Sequence, residues 1–296
     1  GAAIARRLGI PHVWHLREVG ERDYGLQYDF GRNRSLRRVA QAEGLLANTQ
    51  AVKSFFAPLL GRNDIQVVYN GFEFEDTKNT AGDITGEEKF RNQVQNAEPV
   101  KLIILGALVA GKGQLEALQA VAELHKRGLA VHLTLAGEGD LAYKKQLQNF
   151  VQEHGLEQSV EFAGFVNNPQ DLYKNAAATL ICSRAEGFGR TAVESLNLGT
   201  PVIGTDAGGL PEILRHGQTG LLYTPGDWRA LADRIRTLLT NGELYAHVSD
   251  TGRAEVRRRF AMPRYVREIG EVLTDVVRNQ ADGSSDSTRL CQESQS

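Results

Sequence analysis

Two acidic residues flank a glycine-rich stretch in the sequence RAEGFGRTAVE, at residues 184–194. Glu186 precedes Gly187 and Gly189, and Glu194 follows with seven residues between the two acids. Two such carboxylates could act as a general acid and base, or could accept hydrogen bonds from the hydroxyl groups of a ligand. The alternative is an ordinary loop before a helix, in which the second acid belongs to a Thr-x-x-Glu capping box. The choice depends on the elements that carry the two acids.

The composition is that of a globular protein of about two domains, at about 150 residues each. The 296 residues are 41% hydrophobic and 24% charged, and the formal net charge of -2 favours no nucleic-acid partner. Cys182 and Cys291 are far apart, which predicts neither a disulfide framework nor a zinc site and fits a reducing compartment. No signal peptide and no membrane-spanning apolar run is recognised, so we expect a cytoplasmic protein.

From about residue 100 the sequence alternates apolar runs with amphipathic stretches. Continuous apolarity is typical of strands that are covered on both faces, and therefore of a parallel sheet. The predicted strands are 101–106, 131–137, 160–165, 178–183, 201–205 and 220–223. The predicted helices between them are 113–127, 140–154, 169–176, 191–198 and 227–240. This alternation predicts a doubly wound α/β domain over residues 99–258.

The beginning of the chain shows a weaker form of the same pattern. The runs PHVWHL, GLLANT and IQVVYN are predicted strands, and residues 32–42 and 49–59 are predicted helices. Residues 1–72 are therefore predicted to form part of a second α/β domain.

The remaining segments are predicted to connect or extend these two domains. Residues 73–98 are polar and poor in apolar side chains, which indicates an interdomain connection. Residues 259–278 are predicted to include a helix with an apolar stripe of Ile269, Val272 and Val276. Residues 279–296 have the composition of a disordered tail.

Glycine-bearing turns follow several predicted strands of the 99–258 domain. In GALVAGKGQ, at 106–114, Lys112 lies between Gly106 and Gly113, in a pattern that is neither a P-loop nor G-x-G-x-x-G. Further turns of this kind are GEGD at 137–140 and TDAGGLPE at 205–212. Ligands of open α/β sheets bind beyond the carboxyl ends of the strands, and helix N-termini favour phosphate, so these turns together predict a nucleotide-sized crevice. The alternative for Lys112 is a surface lysine in a tight turn.

These motifs occur in a recognisable series. It consists of G-x-L-x-x-x-K-G at 106–113, LAGEGD, VEFAGFV, SRAEGFGRTAVESLNLGTPVIGTDAGGLPEIL and GLLYTPGD. The stretch from about 101 to 258 resembles the donor domain of family 4 of the glycosyltransferases, whose hallmark is the E-x(7)-E pair of Glu186 and Glu194. The series covers over half of the chain and is highly specific in combination. GIPHVWHLRE and VYNGFE resemble later strands of the family's other domain.

The resemblance implies the GT-B fold, in which two Rossmann-like doubly wound domains face a cleft. The C-terminal domain would bind a nucleotide-sugar and the N-terminal domain the acceptor. The helix within 259–278 would cross back to the N-terminal domain. Further strands and a glycine-rich loop that usually open the acceptor domain are not found, so we expect that domain to be incomplete.

The resemblance also implies roles for individual residues. Lys112 would contact the donor phosphates, Glu186 would lie against the donor sugar, and Glu194 would hold the ribose hydroxyls. Backbone N–H groups near Gly189 to Val193 would receive the diphosphate. The implied catalytic residues are Lys112 and Glu186. The implied donor-binding residues are Gly106, Lys112, Gly113, Glu138, Glu186, Gly187, Phe188, Gly189, Thr191 and Glu194. The nucleotide-sugar is a substrate, so no cofactor and no protein-bound metal are expected.

The sequence departs from the family pattern at two positions. Ala107 stands where the family usually has arginine, so one cationic contact to phosphate is missing. In the N-terminal domain Arg17 precedes Glu18, where the family usually has histidine. We expect Arg17 and Glu18 to line the acceptor side of the cleft, and His15 to pack within its strand.

The expected activity is the retaining transfer of a sugar from a nucleotide-diphospho-sugar to a hydroxyl group. The acceptor would be a glycan, a lipid carrier or a small molecule, as in polysaccharide or glycoconjugate biosynthesis. A lipid-linked acceptor would entail peripheral association with the inner face of a membrane. The alternatives are a sugar-nucleotide epimerase or hydrolase on the same scaffold, and a non-catalytic nucleotide-sugar-binding fragment. Glycoside hydrolysis by a carboxylate pair is disfavoured, because it would not call for the Lys112 turn.

Overall fold

The computed structural model describes residues 2–19, 28, 31–74 and 84–293. The chain divides into two compact units. The first unit comprises Gly1–Glu18, Leu26–Glu73 and Phe260–Ser296, and the second comprises Val19–Gly25 and Phe74–Arg259. Each unit contains its own parallel β-sheet, which confirms the predicted α/β fold class. None of the helices in the described ranges combines the length and apolarity that a membrane span requires.

The first unit is built around three parallel strands in the order β1-β2-β3. Its elements are α1 (Ala2–Arg7), β1 (Val13–Leu16), α2 (Arg32–Ala40), β2 (Gly44–Ala47), α3 (Gln50–Leu60), β3 (Gln66–Val67) and α12 (Met262–Glu293). All four residues of the central strand β2 are buried. Thr49 begins α3 as its N-cap, because its hydroxyl oxygen accepts a hydrogen bond from the Val52 N–H at 3.1 Å.

Helix α12 packs on the sheet of the first unit through the apolar stripe that the sequence predicts. Val272 is buried in a cluster with Leu46 and Val68, and Ile269 packs against the same cluster. The sequence predicted a disordered tail from residue 279. The structure instead continues α12 to Glu293, and no proline occurs in this segment to end the helix.

The second unit contains six parallel strands in the order β6-β5-β4-β7-β8-β9. Its strands are β4 (Val100–Leu105), β5 (Val131–Ala136), β6 (Val160–Gly164), β7 (Ala178–Ile181), β8 (Val202–Thr205) and β9 (Leu221–Tyr223). Its helices are α4 (Gly86–Phe90), α5 (Gln114–Lys126), α6 (Leu141–Glu153), α7 (Gln170–Asn175), α8 (Arg190–Asn197), α9 (Leu210–Ile213), α10 (Trp228–Thr240) and α11 (Gly242–Arg259). The chain proceeds from β4 toward one edge and from β7 toward the other edge of the sheet. The strand order therefore reverses between β4 and β7, which is where doubly wound sheets bind ligands.

Two parts of the second unit differ from the sequence prediction. Residues 84–95 are part of this unit rather than of a connection, because α4 and the π-helical turn Arg91–Gln95 that follows it pack within it. Thr85 and Glu88 form a capping box at the start of α4. Residues 75–83 of the predicted connection lie outside the described residues. Helix α11 was not predicted, and it packs against both α4 and α8.

Candidate active site

The two loops that follow β4 and β7 meet through a contact between oppositely charged side chains. Lys112 lies in the 3-10 turn Ala110–Lys112 that follows β4, and Glu186 lies in the loop that follows β7. The Lys112 Nζ atom is 2.7 Å from Glu186 Oε2, and the two side chains are 24% and 14% exposed. The Ser183 hydroxyl donates a second hydrogen bond to the same carboxylate oxygen at 3.0 Å. The arrangement is a partly shielded ion pair beside the point of strand reversal.

Backbone contacts hold these two loops together. The Arg184 N–H donates to the carbonyl oxygen of Gly111 at 3.0 Å. Gly113 has a φ of +70°, and a Cβ atom there would lie 2.2 Å from the carbonyl oxygen of Cys182. Only glycine fits this conformation and this close approach. The Lys112 turn is therefore fixed directly against the end of β7.

The loop after β8 supports Glu186 from another direction. The Gly209 N–H donates to the carbonyl oxygen of Glu186 at 2.7 Å. Gly208 has a φ of +60°, and a Cβ atom there would lie 2.3 Å from the same oxygen. The glycines of TDAGGLPE therefore position the backbone of Glu186.

Glu194 lies in α8 and is held by two side chains. The Tyr173 hydroxyl donates to Glu194 Oε2 at 3.0 Å, and Arg190 Nη2 lies 3.3 Å from Glu194 Oε1. Tyr173 is 1% exposed, and its pKa is raised by burial and by the nearby Glu194 carboxylate. Glu194 is thus an oriented carboxylate.

The start of α8 excludes the capping-box interpretation of Glu194. The N-cap residue is Gly189, which has no side chain to cap the helix, and α8 begins at Arg190. Thr191 is therefore the second helical residue rather than the cap, and Glu194 lies beyond the third. The N–H groups of Ala192 and Val193 both donate to the Gly189 carbonyl oxygen. The N–H groups predicted to receive a diphosphate are consequently limited to residues before Ala192.

Another part of the predicted donor site lies at the ends of β4, β5 and β6. A cavity of about 300 Å³ is lined by residues from these three strand ends, among them Gly106, Ala107, Glu138, Phe165 and Val166. The Phe165 side chain is 71% exposed. Glu138 therefore lies with Gly106 at this cavity, while Lys112 contacts Glu186.

Phe188 is a predicted donor-binding residue whose side chain is buried. The side chain is 3% exposed and belongs to the core. The neighbouring residues Gly187 and Gly189 are also buried. Donor binding by Phe188 stays a prediction.

Ala107 provides no positive charge at the position where the family usually has arginine. The residue is exposed, and its carbonyl oxygen accepts a hydrogen bond from Gln114 Nε2 at 2.8 Å. Gln114 is fully buried, so this bond fixes the turn from the core side. Compared with the family pattern, Ala107 therefore removes a positive charge from this turn, while the hydrogen bond from Gln114 keeps the backbone of the turn ordered.

Arg17 and Glu18 belong to the first unit and follow β1. Arg17 Nη2 donates to Asn70 Oδ1 at 3.1 Å, and the Arg17 carbonyl oxygen accepts from Asn48 Nδ2 at 3.0 Å. Asn48 and Asn70 are both buried. The pKa of His15 is lowered by burial and by the nearby Arg17. Arg17 is therefore anchored at the carboxyl end of the first unit's sheet.

Lys89 is a buried residue that the sequence did not single out. It is 1% exposed, and its Nζ atom donates to Thr200 Oγ1 at 2.6 Å. The Thr200 hydroxyl donates to the carbonyl oxygen of Tyr173 at 2.5 Å. Burial, with help from Arg253 and Lys174, lowers the pKa of Lys89 to about 7. Lys89 and Thr200 thus support the backbone of the residue that orients Glu194.

The described residues contain no group of three or more His, Cys, Asp or Glu side chains that could hold a metal ion. The absence of a metal requirement stays a prediction.

Comparison with known proteins relates this chain to glycosyltransferases. The family model described as glycosyl transferases group 1 matches residues 86–255. The N-acetyl-alpha-D-glucosaminyl L-malate synthase of Bacillus anthracis is 29% identical over 228 residues, which cover 74% of this chain and 56% of the synthase. An uncharacterized glycosyltransferase of Methanocaldococcus jannaschii, MJ1607, is 28% identical, with 53% of its length covered. The chain thus spans about half the length of these two relatives.

A solved structure is similar over nearly the whole chain. It is that of Anabaena Alr3699/HepE in complex with UDP-glucose, which has a TM-score of 0.78 and 28% sequence identity. The similarity covers 93% of this chain and 75% of the Anabaena chain.

Proposed function

The chain belongs to the group 1 glycosyl transferases, and we propose that it transfers a sugar from a nucleotide-diphospho-sugar to an acceptor hydroxyl with retention at the anomeric carbon. The observation that carries this proposal is the contact between Lys112 and Glu186, together with the oriented Glu194 carboxylate of α8. One cation and two ordered carboxylates match a ligand that combines phosphate with vicinal hydroxyl groups.

In this proposal, Lys112 stabilises the departing nucleoside diphosphate. As the bond between the anomeric carbon and the phosphate oxygen breaks, negative charge grows on the nucleoside diphosphate. An ammonium group that the loop already positions stabilises this charge. The positive end of the α8 dipole acts in the same direction.

Glu186 binds hydroxyl groups of the donor sugar in this proposal. Its carboxylate already accepts hydrogen bonds from Lys112 and Ser183, and a carboxylate has further lone-pair positions for hydroxyl donors.

Glu194 binds the ribose hydroxyls. Tyr173 donates to only one of the two carboxylate oxygens, and the carboxylate retains the capacity to accept a vicinal pair of hydroxyls. The orientation imposed by Tyr173 reduces the entropy lost when the nucleoside binds.

The comparisons support UDP as the first nucleotide to test, because the Anabaena protein was solved with UDP and with UDP-glucose. The Bacillus relative supports a hydroxyl group as acceptor, since its name describes a product of malate. Glycans and lipid carriers are the other acceptor classes that we propose.

A two-step experiment tests the function. Thermal shifts with UDP, GDP and ADP identify the base, and we expect one of the three to raise the melting temperature. The matching sugar donor is then incubated with and without a panel of hydroxyl acceptors, and NMR reads the anomeric configuration of the product. Sugar release or epimerisation that is independent of every acceptor would favour the hydrolase or epimerase alternative. Failure of all three nucleotides to bind would contradict the proposal.

A further inference from the structure

Arg190 is an unusual residue for the position that it occupies. It is the first residue of α8, where the positive end of the helix dipole disfavours a cation, and the first turn of α8 contains no acid. Its guanidinium group is 69% exposed and lies 3.3 Å from Glu194, four residues later. An acid that precedes a base stabilises a helix better than this reverse order. Helix stability therefore gives little reason for an arginine here.

Arg190 and Glu194 share one face of α8, one turn apart. One helical turn advances by about 5.4 Å, with Arg190 nearer the N-terminus. This separation is comparable with the distance from the ribose hydroxyls of a nucleotide to its phosphates. A nucleotide whose ribose contacts Glu194 and whose phosphates point toward the helix N-terminus therefore brings those phosphates beside Arg190.

The other glycine turns do not provide enough positive charge to neutralise a bound diphosphate. Lys112 is engaged with Glu186, and Ala107 contributes no charge. A diphosphate carries at least two negative charges, so a single lysine does not neutralise it.

Arg184, in the same loop region, fits this role less well. Its positive charge partly offsets the raised pKa values of Glu116 and Tyr143, so Arg184 lies near α5 and α6. Arg190 instead contacts Glu194 directly, in the helix whose N-terminus is proposed to face the phosphates.

We infer that Arg190 is a phosphate-binding residue of the nucleotide site and supplies the second cationic contact in place of an arginine at position 107. The inference rests on the proposed function. Arg190 exchanges its contact with Glu194 for the donor phosphates, while Tyr173 keeps Glu194 oriented for the ribose. The guanidinium group can then form two parallel hydrogen bonds with phosphate oxygens.

The test compares UDP with uridine, which lacks phosphate, by calorimetry on the full chain. Arg190→Ala is expected to weaken UDP binding about tenfold, the loss of one charge-assisted contact. Uridine affinity should change less than twofold, because Glu194 and Tyr173 are intact. Arg190→Lys should recover part of the UDP affinity, and Arg184→Ala should leave it unchanged.

The possible outcomes distinguish a failure of this inference from a failure of the proposed function. Equal weakening of UDP and uridine would mean that Arg190 only positions Glu194, and would overturn the inference. So would unchanged UDP binding by Arg190→Ala, or a loss that appears in Arg184→Ala instead. If the unaltered chain binds none of the nucleotides UDP, GDP and ADP, the proposed function itself fails. Thermal melts check that each variant is folded, which is expected because the Arg190 side chain is largely exposed.

Discussion

The Nζ atom of Lys112 lies 2.7 Å from a carboxylate oxygen of Glu186, although the two residues are separated by more than seventy positions in the chain. Both side chains are shielded from solvent over most of their surface, so the attraction is screened less than in an exposed pair. A donor phosphate that binds Lys112 must compete with Glu186 for the ammonium group. The sugar of the same donor can offer hydroxyl groups to Glu186 in exchange.

Replacing Lys112 tests the electrostatic part of the mechanism. Lys112→Met is expected to lower kcat by about a hundredfold, the usual size of the effect when one charge-stabilising donor is removed. Lys112→Arg should retain more activity because it keeps the charge. The exposed Lys145 of α6 provides a matched control, and Lys145→Ala should have normal kcat. Unaltered turnover by Lys112→Met would remove this residue from the catalytic site.

Replacing Glu194 tests the ribose contact. Glu194→Ala is expected to weaken UDP binding by about 1.5–3 kcal/mol, because bound hydroxyl groups lose a charged acceptor. The same substitution should not affect 2′,3′-dideoxy-UDP, which lacks those hydroxyls. Calorimetry with both nucleotides gives the answer, and an equal loss for the two would show that Glu194 acts through the protein and not through ribose.

The strands of the second unit could be predicted from the sequence because most of them are short, predominantly apolar runs. The sequence of β7, for example, is ATLI, and all four residues are buried. The pairing of Lys112 with Glu186 is less accessible to sequence reasoning, because it requires β4 and β7 to be neighbours. That adjacency follows from the reversal of strand order, which no local pattern encodes.

Tyr173 and Lys89 were missed for a related reason. In the sequence, Tyr173 has the pattern of an ordinary core residue of a short helix. Its hydroxyl can donate to Glu194 only when α7 and α8 are packed in the folded unit. Lys89 lies in a polar segment, and only the contact of α4 with the rest of the unit buries it. The Thr85–Glu88 capping box was the local signal that could have revealed a helix there.

Restoring the arginine at position 107 should strengthen nucleotide binding. Ala107 is exposed, so Ala107→Arg can be accommodated, and the added charge should raise UDP affinity about threefold to tenfold. Uridine affinity should not change. Ala107→Gln adds a long side chain without charge and serves as the control. A gain of similar size in Ala107→Gln would contradict a phosphate contact.

The transfer reaction is expected to proceed in an excess of chelator. Lys112 and the N-terminus of α8 are proposed to stabilise the leaving diphosphate without a metal ion. Initial rates with the identified donor and acceptor should agree within experimental error with and without EDTA. A rate that disappears with EDTA and returns with magnesium or manganese would require a different mechanism.

The pH dependence of the free energy of unfolding should reveal the lowered pKa of Lys89. Burial lowers the pKa of its ammonium group to about 7 in the folded chain, compared with about 10.5 for an ordinary lysine. Between these values the unfolded chain binds more protons than the folded chain, so the free energy of unfolding should rise with pH. The contribution of Lys89 is therefore fully present above pH 10.5 and is lost as the pH falls through 7.

Urea unfolding of the unaltered chain and of Lys89→Met at pH 7 and pH 9 measures this contribution. Methionine fills a similar volume without a titratable group. From pH 7 to pH 9 the stability of the unaltered chain should rise relative to that of Lys89→Met, by at most about 1.4 kcal/mol per pH unit. Other titrating groups, including the buried tyrosines, are common to both chains and cancel in the difference. Parallel pH responses of the two chains would mean that Lys89 remains protonated when buried, held by Thr200 and by the carbonyl oxygens of Tyr173 and Leu198.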